Sequence, residues 1–158
     1  MAAYKRAQDL IREGLSLAHA GQPERAKEIF KSSLTVHPTA EAITYWGWME
    51  HQLDDTEKAI ELCKKAIALD PEFGNPYNDI GSYLISQGQL DEAIPWLKRA
   101  MKTKKYEFRH FPHVNLAYIF IEKKMFMKAL RELQQALDFM PGDPDLTAKI
   151  NELRKEIN

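Results

Sequence analysis

A single cysteine, Cys63, stands among 158 residues, which excludes an internal disulfide framework and favours a reducing compartment. A lone thiol in a helical stretch reads as a small core residue rather than a nucleophile. Long apolar runs are missing too, since no stretch approaches the roughly 18 residues of a membrane span. The opening segment MAAYKRAQDLIREG is charged throughout and lacks the apolar stretch of a secretion signal, so a cytoplasmic protein is expected. Neither sign of charge dominates. With 22 Lys and Arg against 23 Asp and Glu, the formal net charge is −1, and no global field draws the chain to nucleic acid or to an anionic membrane. Catalytic motifs are absent as well: no phosphate-cradling glycine loop, no nucleophile elbow, and no carboxylate pair distinct from helix-surface charge. His110 and His113 share a helical face, but no carboxylate or cysteine joins them in a metal-binding spacing. An enzyme, a cofactor and a metal are therefore not expected.

What is present is a repeated frame. The stretch from Trp46 to Pro71 reads Trp46-Gly47, then Ala59 and Ala66, then Asp70-Pro71. A mid-helix glycine costs about 1 kcal/mol against alanine, so Gly47 implies a compensating close approach by a neighbouring helix. Ala59 and Ala66 give a second helix a low-relief face, and Pro71 stops that helix. Two antiparallel helices locked by small residues follow. The alanine that opens the second helix recurs at Ala26, Ala59, Ala93 and Ala129, at separations of 33, 34 and 36. Pro38, Pro71 and Pro141 close three of the copies, with Lys105 in the proline's place in the third. Glycines recur as Gly14, Gly47 and Gly81, and Ala117 replaces them in the fourth copy.

This pattern resembles the tetratricopeptide repeat (TPR) family, whose period is about 34 residues and whose signature runs W-x2-L-G-x2-Y, A-x3-F and P. The resemblance implies an all-α fold, a right-handed superhelical solenoid of four helix pairs plus a C-terminal capping helix. It implies one domain over residues 1–158, with repeats at about 7–39, 40–73, 74–109 and 110–143 and a cap at 144–157. The cap is also legible from the residues. Asp143 suits an N-cap, Pro144 the first helical position, and Leu146, Ile150, Leu153 and Ile157 make a stripe on one face only. At the other end Glu13 stands where the family has a large apolar residue, which suits a terminal repeat.

Function must then reside in surfaces. In the family the first helix of each pair lines the concave side, which marks Gln8, Ile11 and Leu15, then Glu41, Thr44, Trp48 and His51, as groove positions. The third and fourth copies add Asn75, Asn78, Ser82 and Ile85, then Phe111, Val114, Tyr118 and Ile121. Aromatics flank a centre of amides and hydroxyls, a composition suited to an extended or helical protein segment. Core packing competes for Trp48 and Phe111, and helix capping competes for Asn75. The family's carboxylate clamp is excluded, because its slots carry Thr44, Trp48, Asp79, Phe111 and Asn115 and no cation. The expectation is an adaptor binding another protein.

Two alternatives stand beside it. One is a small TPR chaperone for secreted proteins, working as a dimer. The other is docking of an anionic partner on Lys98, Lys102, Lys104, Lys105 and Arg109, against which stands a merely solvated helix end; nucleic acid is disfavoured. Met125 and Met127 offer a patch for self-association.

Overall fold

The computed structural model describes residues 1–158, arranged as nine α-helices. They are α1 (Ala2–His19), α2 (Pro23–Val36), α3 (Ala40–Gln52), α4 (Thr56–Leu69), α5 (Asn75–Ser86), α6 (Leu90–Lys102), α7 (His110–Glu122), α8 (Phe126–Phe139) and α9 (Pro144–Ile157). Each odd-numbered helix from α1 to α7 pairs with the next, and the pairs stack in chain order, with α9 packed on α8. The first helices of neighbouring pairs also touch one another, α1 with α3, α3 with α5 and α5 with α7. None of the helices is long and apolar enough to cross a membrane.

Local chemistry explains the helix ends. Each of the four hairpin turns contains one residue with left-handed φ: Gly21 at 74°, Asp54 at 66°, Gly88 at 77° and Lys124 at 57°. Glycine takes this conformation freely, while Asp54 and Lys124 take it at some strain. Asp55 caps α4 by accepting from the Lys58 amide, and Asp143 caps α9 by accepting from the Leu146 amide. Helix α1 begins at Ala2, ahead of the first repeat's expected start at about residue 7.

The small residues of the repeated frame lie where the helices meet. Ala26, Ala59, Ala93 and Ala129 are all fully buried. A Cβ on Gly14 would overlap the Phe30 ring, one on Gly47 would sit 3.1 Å from the Ala59 carbonyl oxygen and meet Cys63, and one on Gly81 would overlap Leu97. From 14 to 30, from 47 to 63 and from 81 to 97 the spacing is sixteen residues each time, so one contact recurs along the stack. In the fourth pair Ala117 and Leu133 hold the same relation, both buried. Cys63 belongs to the central core with Ile80, Leu97 and Leu116, as a lone helical thiol should. Burial pushes its pKa well up, so it stays a neutral thiol.

Ile11, placed in the groove by the family offset, is instead core, 1% exposed. Trp46 is half-buried; its indole donates to the Glu50 carboxylate at 2.7 Å, and Lys27 and Lys58 approach the same buried acid. On α9, Leu146, Ile150 and Leu153 pack against Ala117, Ala129 and Leu133, but Ile157 at the last turn is 36% exposed and leaves the expected stripe.

The connection from α6 to α7 departs most from expectation. It pairs with the connection between α4 and α5: the Lys105 amide donates to the Glu72 carbonyl and the Gly74 amide to the Lys105 carbonyl, both at 2.9 Å. Tyr106, 7% exposed, and the buried Thr103 close over Gly74, where an added Cβ would overlap both. Gly74 has ordinary right-handed backbone angles, so only space demands glycine there. Gly74→Ala is expected to destabilise the chain by about 1–3 kcal/mol through overpacking. That corresponds to a fall of several degrees in melting temperature by circular dichroism. An unchanged melting temperature would show that the loop pairing yields freely.

Candidate partner-binding hollow

Stacked first helices leave a hollow between them. Its volume is about 660 Å³, and its walls come from α1, α3, α5, the α6–α7 connection and the start of α7. Helix periodicity supplies the lining: on α5, Asn75, Asp79 and Tyr83 follow at intervals of four, and Asn78 and Ser82 flank them. Tyr45, Trp48 and His51 come from α3, Leu15 from α1, and Phe111 from α7.

Seven of the groove positions marked in the sequence lie in this hollow: Leu15, Trp48, His51, Asn75, Asn78, Ser82 and Phe111. Phe111 is 46% exposed and lies tilted against the Phe108 and His110 rings rather than in the core. Trp48 is half-buried, tilted over His19 at 5.9 Å. Asn75 occupies the first turn of α5 and makes no capping hydrogen bond. Asn78 is 7% exposed, and its side-chain oxygen accepts from the Asn115 amide at 3.0 Å, so it ties α5 to α7 rather than offering that oxygen to a ligand.

The remaining positions fall elsewhere, for local reasons. Thr44 is 1% exposed, because its hydroxyl donates back to the Ala40 carbonyl at 2.7 Å and the side chain lies against its own helix. Tyr118, 48% exposed, stands on α7 beyond the hollow. Val114 packs on the C-terminal core and Ile85 on the central one. Ile121 faces a separate depression formed with Phe126 and α9. Gln8 donates to Glu41 at 3.3 Å, and both border a smaller adjoining hollow of about 390 Å³.

Asp79, Tyr83, Tyr45 and Tyr106 line the hollow without having been singled out as groove residues. The stripe from Asn75 would have found the first two, which lie four and eight residues on. Asp79 is half-buried with no cation beside it, and burial pushes its carboxyl up to about 7. Tyr83 is 4% exposed, its hydroxyl has no hydrogen-bond partner, and its phenol is held up by burial and by the charge of Asp79. Its ring lies 4.5 Å from that of His51, whose Nδ1 meets the Thr56 hydroxyl at 3.0 Å and whose pKa burial lowers. Tyr45 is pushed up to about 12, first by burial and then by Glu41, Asp79 and Glu107. The hollow is thus aromatic-walled and negative.

The basic segment is smaller than its sequence suggests. The Arg109 guanidinium turns inward to the carbonyls of Met101, Thr103 and Lys104, at 2.9 Å from the second, and so staples the connection. Lys105 pairs with Asp70 at 2.9 Å, which holds that carboxyl below its usual range. Lys98, Lys102 and Lys104 remain exposed. His113 is buried at 2.6 Å from Glu132 and stacked on Phe139, away from His110.

Helix hairpins stacked with a shared hollow on their first helices define a solenoid of the repeat-scaffold class. Residues 51–105 match the tetratricopeptide repeat family model, and the chain belongs to that family. It is 32% identical over 124 residues to human (Homo sapiens) tetratricopeptide repeat protein 29, covering 72% of this chain and 26% of that protein. It is 30% identical over 84 residues to the cell division cycle protein 27 homolog of Caenorhabditis elegans, covering 53% of this chain and 10% of that one. The chain therefore spans about a quarter or less of the length of these relatives. Among solved structures it superposes on PilF of Pseudomonas aeruginosa with a TM-score of 0.89 at 22% identity, over 99% of this chain and 71% of that one. It superposes on a chain of the APC/C hetero-tetramer Cut9–Hcn1 with a TM-score of 0.81 at 20% identity, over 96% and 30%. These two likenesses establish the all-α repeat fold.

Asp79 makes a sign-definite prediction. A carboxyl whose folded-state pKa lies above its unfolded value contributes stability that is complete below the unfolded value and lost as pH rises through the folded one. For Asp79 that window runs from about pH 4 to about pH 7. Asp79→Asn keeps the shape and removes the charge, so its melting temperature relative to the parent is expected to rise across this window and level off above it. A gap independent of pH would mean that Asp79 is well solvated.

Proposed function

We propose that this chain is a non-catalytic adaptor that holds a segment of a partner protein in the hollow between its first helices. The observation that carries this reading is the convergence of Trp48, Asn75 and Phe111, from three different repeats, on one cavity large enough for several side chains. Exposed aromatic surface of this kind is costly to leave in water and is the usual anchor of a protein contact. Asn75 supplies donor and acceptor groups suited to the backbone of an extended ligand. Relatives in which such repeats form part of much longer chains are consistent with a module that recognises rather than reacts.

The test is affinity purification from the native cell with quantitative mass spectrometry, comparing the parent chain, the double variant Trp48→Ala/Phe111→Ala, and Lys65→Ala on the exposed side of α4. Loss of two aromatic anchors is expected to reduce recovery of specific partners by at least about tenfold. Lys65→Ala should recover them fully, and circular dichroism confirms that each variant folds. Undiminished recovery by the double variant would move the binding surface off the hollow.

A further inference from the structure

We infer that the segment bound in this hollow carries a cationic side chain, a guanidinium or an ammonium, seated against Asp79 with the Tyr83 hydroxyl as its second partner. The inference rests on the hollow being the partner-binding surface and specifies what that surface selects.

Three independent observations converge on it. First, Asp79 is the one carboxylate lining the hollow, no lysine or arginine lines it, and no cation of the protein lies beside Asp79. A half-buried acid without a counter-charge is retained at a cost to the fold, and a ligand cation would offset that cost. Second, the Tyr83 hydroxyl, one helical turn along α5 from Asp79, is buried without any hydrogen-bond partner. Buried polar atoms are nearly always satisfied, so an orphan hydroxyl on a side chain that lines a cavity marks a place for a ligand's polar group. A guanidinium has five donors and reaches a carboxylate and a phenolic oxygen together. Third, the walls are aromatic: Tyr45, Trp48, Tyr106 and Phe108 line the same hollow as Asp79. Cations are attracted to such faces, most strongly where water is excluded.

Most of the other charged and titratable groups support the same sign; the exception is Arg109, whose charge reaches Tyr106 but whose guanidinium is taken up by the carbonyls of Met101 and Thr103. Glu41 and Glu107 lie near enough to act on Tyr45 and add to the negative field, while burial disfavours the charged form of His51. His19 is the remaining histidine of the wall, and it stands at the exposed rim on α1. An anionic ligand has no lysine or arginine of the lining to meet here, and a wholly apolar one would leave both Asp79 and Tyr83 unsatisfied.

The experiment is selection of a random twelve-residue peptide display library on the full chain and, in parallel, on Asp79→Asn. The expected result is enrichment by the parent chain of peptides with Arg or Lys at one fixed position beside apolar residues, with that preference absent on Asp79→Asn. Synthetic peptides from the selection are then titrated calorimetrically with the fixed Arg present or replaced by citrulline. Citrulline is expected to weaken binding at least about 30-fold on the parent chain and far less on Asp79→Asn. Tyr83→Phe should weaken the Arg peptide and leave the citrulline peptide nearly unchanged. Peptides that bind, lose binding in Trp48→Ala/Phe111→Ala, and show no fixed cation would overturn this inference while leaving the hollow as the binding surface. Peptides indifferent to those aromatic substitutions would overturn the hollow itself, and with it this inference. A library that yields no enrichment counts against both.

Discussion

The close approach of paired helices at Gly14, Gly47 and Gly81 is the constraint on which this molecule rests. Gly14 and Gly81 receive the residue sixteen positions on, Phe30 or Leu97, in the space that a Cβ would fill, and Gly47 packs against Cys63 with the Ala59 carbonyl oxygen 3.1 Å from where its Cβ would be. Because the same contact recurs in every pair, with Ala117 and Leu133 in the fourth, the hairpins share one geometry and stack. Glycine weakens a helix locally, so its repetition at buried mid-helix positions makes sense only as an exchange of propensity for packing. From that exchange follow the abutting first helices and the hollow between them.

The hollow breaks the rules that the rest of the chain obeys. Elsewhere buried polar groups are met: Glu50 by Trp46 and two lysines, Ser33 by the Ala7 carbonyl, Thr44 by the Ala40 carbonyl. In the hollow, Asp79 has no cation and Tyr83 no partner. Departures from local consistency concentrate where a protein has work to do, because satisfying them internally would remove the groups a ligand needs. The rigid α5 scaffold holds both groups one turn apart, so little ordering is required when a partner arrives.

Much of the fold was legible in the sequence, since alanine, glycine and proline at a fixed period dictate helix pairs before any contact is known. Ala26, Ala59, Ala93 and Ala129 lie where that period demands, and Asp143 caps α9 as its position suggests. What escaped depends on long-range or rotational detail. Pairing of Lys105 with Glu72 and Gly74 joins segments some thirty residues apart and leaves no local signature, so from sequence the cations there stand only as a docking patch weighed against a solvated helix end. Arg109 illustrates the loss: its charge is plain in the sequence, but its turn toward backbone carbonyls is not. For the site, fixed offsets marked seven residues that line the hollow, yet placed Thr44 and Ile11 outward. A hydroxyl that bonds its own helix, and an apolar side chain on the core side of α1, are set by packing that offsets do not encode. Asp79 appeared in the sequence only as a slot without a cation, whereas its isolation in an aromatic hollow is a property of three dimensions.

The most direct measurement of the governing contact is a double-mutant cycle at Gly81 and Leu97, followed by denaturant unfolding of the parent chain, Gly81→Ala, Leu97→Ala and the combination. If close approach sets the helix spacing, the penalty of the added methyl should vanish once Leu97 is truncated, giving a favourable coupling of about 1–3 kcal/mol. Penalties that simply add, within about 0.5 kcal/mol, would show that the two residues do not compete for the same space, and the recurring interlock would no longer explain the stack.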